Sequence, residues 1–147
     1  MTWLQTQLTN NPHKLFIQEG KNQYSYSNAA DMVATYSKAL LKDGVQAQDR
    51  ILIYLPTGVE LIEIVLACFE IGAVAVPISL KLTEKERNVI IEKIEPKLII
   101  ANWELKPALI SSSFPLTPIE ELPNTSSGCS AITNNYKKSL EDIAAII

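Results

Sequence analysis

From Arg50 to Asn102 the chain switches between short unbroken apolar runs and longer stretches in which apolar residues recur every three or four positions. Ile51 to Leu55 lacks polar alternation, as a strand covered on both faces does. Val59, Ile62, Ile64, Val65, Ala67 and Cys68, with Glu60 and Glu63 between them, predict a helix with one wide apolar face, ended by Gly72. Val74 to Ile78 reads as a second strand. Thr83 and Glu86 form a Thr-x-x-Glu capping box that opens a helix lined inside by Val89, Ile90 and Ile94 and stopped by Pro96. Leu98 to Ala101 supplies a third strand.

Upstream, the periods are shorter. Thr2 is placed to cap a helix through Leu8, with Trp3, Leu4 and Leu8 on one side, and Asn10-Asn11-Pro12 turns the chain. Leu15 to Gln18 and Gln23 to Tyr26 predict a hairpin in which Gly20 and Asn22 supply positive φ, with Tyr24 and Tyr26 packed on one pleat. Ser27 is expected to cap a helix from Asn28 to Lys42, built on Ala30, Val33, Ala34, Ser37, Leu40 and Leu41 and terminated at Gly44.

Strand, helix, strand, helix, strand with short connections closes by right-handed crossovers. The expected class is therefore α/β: a parallel sheet with flanking helices, preceded by a small β-hairpin. Ligands in such a sheet lie at the carboxyl ends of its strands, which here are Pro56-Thr57-Gly58, Ser79-Leu80-Lys81 and Asn102-Trp103. None of these loops is a Gly-rich phosphate cradle, and a nucleotide site cannot be built from these residues alone. Residues 104–139 carry Pro107, Pro115, Pro118 and Pro123 and read as a connecting region with one short strand; residues 140–147 read as the start of another strand. The expected organisation is thus 1–103, 104–139 and 140–147.

Composition excludes several classes. Charged residues make up 20% of the 147, with signs interspersed and a net charge of −3, so no basic field exists to hold nucleic acid. No apolar run approaches the ~20 residues of a membrane span and no leader is evident, which predicts a cytoplasmic protein. The two cysteines, Cys68 and Cys129, are expected to be unpaired thiols, Cys68 on a buried helix face. The single histidine, His13, sits in a turn with no second ligand nearby, so neither acid–base nor metal chemistry is assigned to it. The serine clusters Ser111 to Ser113 and Ser126-Ser127 lack the strand–elbow–helix context of a nucleophile. Glu84, Glu86, Glu92 and Glu95 alternate with Lys85, Arg87, Lys93 and Lys97 as a solvent-facing helix surface.

The wording of the central run narrows the family. Leu66-Ala67-Cys68-Phe69-Glu70-Ile71-Gly72-Ala73-Val74-Ala75-Val76-Pro77, followed by Leu80-Lys81-Leu82-Thr83, resembles the N-terminal part of the AMP-forming acyl- and aryl-CoA ligases. The Trp3-Leu4 helix, the Tyr24-Ser25-Tyr26 strand and the Gly44 to Tyr54 segment follow in the family's order. The resemblance implies a two-step reaction in which a carboxylate takes the α-phosphate of ATP and the CoA thiol then displaces AMP, with Mg²⁺ offsetting charge. It also implies that the phosphate loop follows Asp142 to Ile147 and that every catalytic group lies beyond Ile147. No catalytic residue is assigned here, and the chain alone is expected to be an inactive fragment that binds neither ATP, Mg²⁺ nor CoA tightly. The implied partners are a small carboxylic acid and the rest of the ligase, with exposed apolar surface favouring self-association. Lys81 matches a basic residue that contacts CoA phosphates in related aryl-CoA ligases; a solvated lysine is the competing reading. A stand-alone α/β binding module and the N-terminal part of another acyl-CoA synthetase or adenylation domain are the alternatives.

Overall fold

A computed structural model describes residues 2–125. Helix α1 (Trp3–Asn10) opens with Thr2 and Gln5 in a reciprocal capping box. Strands β1 (Leu15–Glu19) and β2 (Asn22–Ser25) form an antiparallel hairpin in which Glu19 pairs with Asn22. The turn between them is therefore two residues long, and Gly20 takes it at φ 59° while Asn22 keeps an ordinary negative φ. Of the two residues expected at positive φ, Gly20 adopts it and Asn22 does not.

Helix α2 (Tyr26–Lys42) begins earlier than its apolar spacing implied. Ser25, not Ser27, is its N-cap: the Ser25 hydroxyl accepts from the Asn28 N–H and the Asn28 side chain accepts from the Ser25 N–H. Asn28 at the third helical position does the work of the Glu or Gln of the usual box, which is why Ser27 looked the better cap. Tyr26 is consequently helical and leaves the pleat; its ring stacks on Phe16 at 4.7 Å and meets the edge of Trp3 at 6.0 Å. The helix buries Ala29, Val33, Tyr36, Ser37, Ala39 and Leu40, a face turned toward Ala29 and Tyr36 from the expected one.

Strand β3 (Arg50–Tyr54), helix α3 (Val59–Ile71), strand β4 (Val74–Pro77), helix α4 (Glu84–Ile94) and strand β5 (Leu98–Ala101) follow. Gly72 closes α3 in the left-handed conformation, at φ 75°. Thr83 and Glu86 cap α4 reciprocally, as expected. After a 3-10 turn at Lys106–Leu109, strand β6 (Leu116–Pro118) joins the sheet parallel to β5, and a second such turn at Ile119–Glu121 leads into α5 (Leu122–Thr125). The order is β4-β3-β5-β6, all parallel. The α/β class is thus the observed one. The segment 140–147 lies outside the described residues.

Period-two alternation divides the core into two layers. Ile51 and Ile53 from β3 and Leu55 just after it, with Ala75, Leu98 and Ile100, pack under α2 and α3. Leu52, Tyr54, Ile99 and Ala101 point the other way and pack with Ile91 of α4, Leu109 and Leu116. On α4 the inward residues are Arg87 and Ile91, whereas Val89 is 44% exposed. Arg87 is therefore not part of a solvent-facing charged surface: the helix is rotated so that its stem covers the sheet. Glu63, read as lying between apolar positions of α3, is likewise buried, and Ile62 is exposed. Among the described residues no helix is long and apolar enough to cross a membrane.

Candidate functional site

The strand order has a reversal point, where open α/β sheets form a crevice. The crossover from β3 runs outward to β4, while β5 returns to the other side of β3 and continues outward to β6. In an open α/β sheet the ligand position is the carboxyl end of the strands where the order reverses. Here that point lies between β3 and β5, at Pro56-Thr57-Gly58 on one side and Asn102-Trp103 on the other.

Each wall is built from local geometry. Gly58 is the N-cap of α3 and offers no side-chain cap. Glu19, at the end of β1 and forty positions away in sequence, fills that role: its Oε1 accepts from the Val59 N–H at 3.2 Å. A Cβ built on Gly58 would fall on that carboxylate oxygen, so the contact requires the missing side chain. On the opposite wall the Trp103 N–H donates to Glu120 at 3.2 Å, and the Asn102 side chain accepts from the Leu105 N–H at 2.9 Å. Lys106 places its Nζ 4.7 Å from the Trp103 ring centre.

Carboxylates gather on the α3 side of the crevice, opposite Lys106 on the Trp103 side. Burial raises the Glu63 carboxyl to about 7, with Glu60 and Glu19 adding to it. Burial also raises Glu60, followed by Glu120 and Glu19. Tyr36, buried beneath, is raised by its desolvation and then by Glu63, Glu60 and Glu120. Around the start of α3, Glu19 and Glu60 thus act on Glu63, and Glu120 and Glu19 act on Glu60. A triphosphate needs free N–H groups and positive charge. This point offers a helix N-terminus already taken by a carboxylate and ringed by others, so the residues present do not fit ATP phosphates or their Mg²⁺. Among the described residues no group of three or more His, Cys, Asp or Glu is arranged to hold a metal.

Lys81 lies elsewhere on the same rim. It is exposed in the loop between β4 and α4, where its N–H donates to the Ser79 hydroxyl at 3.2 Å. Among the described residues no hydrogen bond joins Lys81 to Glu19 or Trp103. His13 is exposed. Cys68 is fully buried and unpaired, and burial pushes its thiol up to about 12. Cys129 lies outside the described residues. Three residues that the sequence did not single out carry the crevice and its support: Glu19, Glu63 and Arg87. Glu63 had a signal, since it falls four residues after Val59 and four before Ala67 on the buried stripe of α3. Glu19 had none, because its partner is remote in sequence.

The parallel sheet with α2 and α3 on one face, α4 on the other and a separate hairpin matches the N-terminal end of the adenylate-forming ligase fold. Residues 4–145 match the family described as AMP-binding enzyme, and the chain belongs to that family. It is 30% identical over 144 residues to 2-succinylbenzoate–CoA ligase of Oceanobacillus iheyensis, covering 96% of this chain and 29% of that protein. It is 29% identical over 113 residues to the putative acyl–CoA ligase YdaB of Bacillus subtilis, covering 77% of this chain and 21% of that one. Among solved structures, the O-succinylbenzoate coenzyme A synthetase MenE from Bacillus subtilis in complex with AMP superposes with a TM-score of 0.78 at 19% identity, covering 84% of this chain and 32% of that one. The N-terminal domain of FACL13 from Mycobacterium tuberculosis gives 0.85 at 19% identity, covering 97% and 39%. The chain therefore spans less than a third of the length of the two sequence relatives named.

Proposed function

We propose that this chain is the N-terminal layer of an AMP-forming acid–thiol ligase, of the 2-succinylbenzoate–CoA type used in menaquinone or phylloquinone biosynthesis, acting in the cytoplasm. The reaction is carboxylate + ATP + CoA to acyl-CoA + AMP + pyrophosphate. The single observation that carries the reading is the likeness to a 2-succinylbenzoate–CoA ligase along 96% of the chain. Ala67-Cys68-Phe69 and the run Lys81 to Arg87 support that member over its siblings. In this reading ATP, Mg²⁺ and the catalytic groups are held by other parts of the enzyme, the segments 1–103, 104–139 and 140–147 serve as scaffold, connection and approach to the phosphate loop, and the chain alone is inactive. Lys81 supplies a point charge to the CoA phosphates.

The test is an assay of the full-length gene product with MgATP, CoA and a panel of acids. AMP release that depends on 2-succinylbenzoate supports the proposal; turnover of fatty or amino acids with none of 2-succinylbenzoate rejects that member. Calorimetry of the 147-residue chain with MgATP should show no binding. Lys81→Ala should raise the KM for CoA roughly tenfold, the loss of one charge-assisted contact, with little change in kcat. An unchanged KM removes Lys81 from the site.

A further inference from the structure

We infer that Glu19 is a built-in anion that straps the β1–β2 hairpin to the start of α3 and closes the switch-point crevice to phosphate-bearing ligands. The other helices of comparable length cap themselves: α1 through Thr2 and Gln5, α2 through Ser25 and Asn28, α4 through Thr83 and Glu86. Helix α3 alone among these four has a glycine N-cap with no side-chain bond of its own. Its first N–H is satisfied by a carboxylate from a different element, forty residues upstream. The contact is tertiary, and it couples a hairpin outside the main sheet to the strand order's reversal point.

Two further features make the contact specific. Gly58 has an extended backbone that any residue could adopt, so the requirement for glycine at this position is space: a Cβ there would displace the Glu19 carboxylate. The surroundings also oppose any second anion. Glu60 lies in the first turn of α3, Glu120 stands on the other wall bonded to the Trp103 N–H, and Glu63 is buried one turn further in. A helix N-terminus at the carboxyl end of a parallel strand normally attracts phosphate. Here the same field is spent within the fold, and the residues around it repel what would otherwise compete. The Glu19 contact is independent of which acid the ligase takes.

The experiment is amide exchange and chemical-shift titration by NMR on the intact chain, comparing wild type, Glu19→Ala and Gly58→Ala, with inorganic pyrophosphate as the probe at constant ionic strength. Exchange at the Val59 N–H is expected to accelerate at least about tenfold in both variants, the loss of one charge-assisted bond. The Val59 amide of wild type should not respond to pyrophosphate, while that of a Glu19→Ala, Glu60→Gln, Glu120→Gln triple variant, which also lacks the neighbouring charges, should. Unchanged exchange at Val59 in variants whose circular dichroism is native overturns the strap. An equal pyrophosphate response in wild type and the triple variant, or none in either, overturns the exclusion.

Discussion

The guanidinium of Arg87 lies 5.3 Å from the centre of the Tyr54 ring, across the interface between α4 and the central strand. Its Nη1 donates to the Tyr54 hydroxyl at 3.4 Å and its Nη2 to the Ala108 carbonyl at 3.0 Å. One buried side chain therefore ties the helix, the strand and the 3-10 turn before β6 together. The Arg87 Nε has no partner among the described residues.

That geometry predicts which substitutions are tolerated. Arg87→Ala strands the Ala108 carbonyl and leaves a void, and should cost about 2 kcal/mol in urea unfolding. Arg87→Met keeps the apolar stem without a charge to desolvate and should cost less than about 1.5 kcal/mol. Equal losses for the two would show that the hydrogen bonds, not the packing, matter.

Glu63 makes stability depend on pH. Its carboxyl is raised from 4.5 to about 7 in the folded chain by burial and by the Glu60 and Glu19 charges, with Tyr36 and Glu120 in the same neighbourhood. A raised carboxyl binds more protons folded than unfolded between these values, so its stabilising contribution is complete below 4.5 and is lost as pH rises through about 7. The loss should be on the order of 2 kcal/mol. Glu63→Gln should flatten this decline; thermal unfolding of both proteins from pH 4 to 9 measures it, and parallel curves would contradict it.

The two serines at the start of α2 should behave differently. Ser25→Ala removes the cap and should destabilise by about 1 kcal/mol, while Ser27→Ala, one turn position inside, should change little. Chemical denaturation of the pair gives the comparison directly, and the reverse order would return the cap to Ser27.

Cys68 should resist alkylation at neutral pH. It has no exposed surface and its thiol is pushed up to about 12, so little nucleophilic thiolate forms. Peptide mapping after iodoacetamide treatment should find Cys68 unmodified in the native protein and modified in guanidinium; rapid native labelling would mean that α3 opens readily.

The main sheet was legible because its signals are local. Uninterrupted apolar runs gave β5 its residues outright and β3 and β4 to within one, and Thr83 with Glu86 announced α4. The rotation of a helix is harder to read than its extent. Val89 and Ile90 suggested one inner face for α4, but tertiary packing chose the face that carries Arg87 and Ile91, because a long arginine stem covers apolar surface as well as an aliphatic side chain does. Ser25 was hidden for a chemical reason: Asn28 completes a box whose usual closing residue is longer. The loops at the strand ends were legible, yet the charge around them was not, since the Glu19 contact depends on bringing residues 19 and 59 together.

The rims of the sheet carry one more implication. Strand β4 ends in Pro77 and β6 in Pro118. The Ile78 N–H donates inward to Ile53, so by alternation the Pro77 nitrogen faces away from β3; the Pro115 carbonyl accepts from Ile99, which by the same alternation turns the Pro118 nitrogen outward. Neither imide deprives the four strands of a rung, and each denies one to a newcomer aligned along that border. Among the described residues, β4 and β6 are thereby poor templates for a further strand at the end where the loops gather.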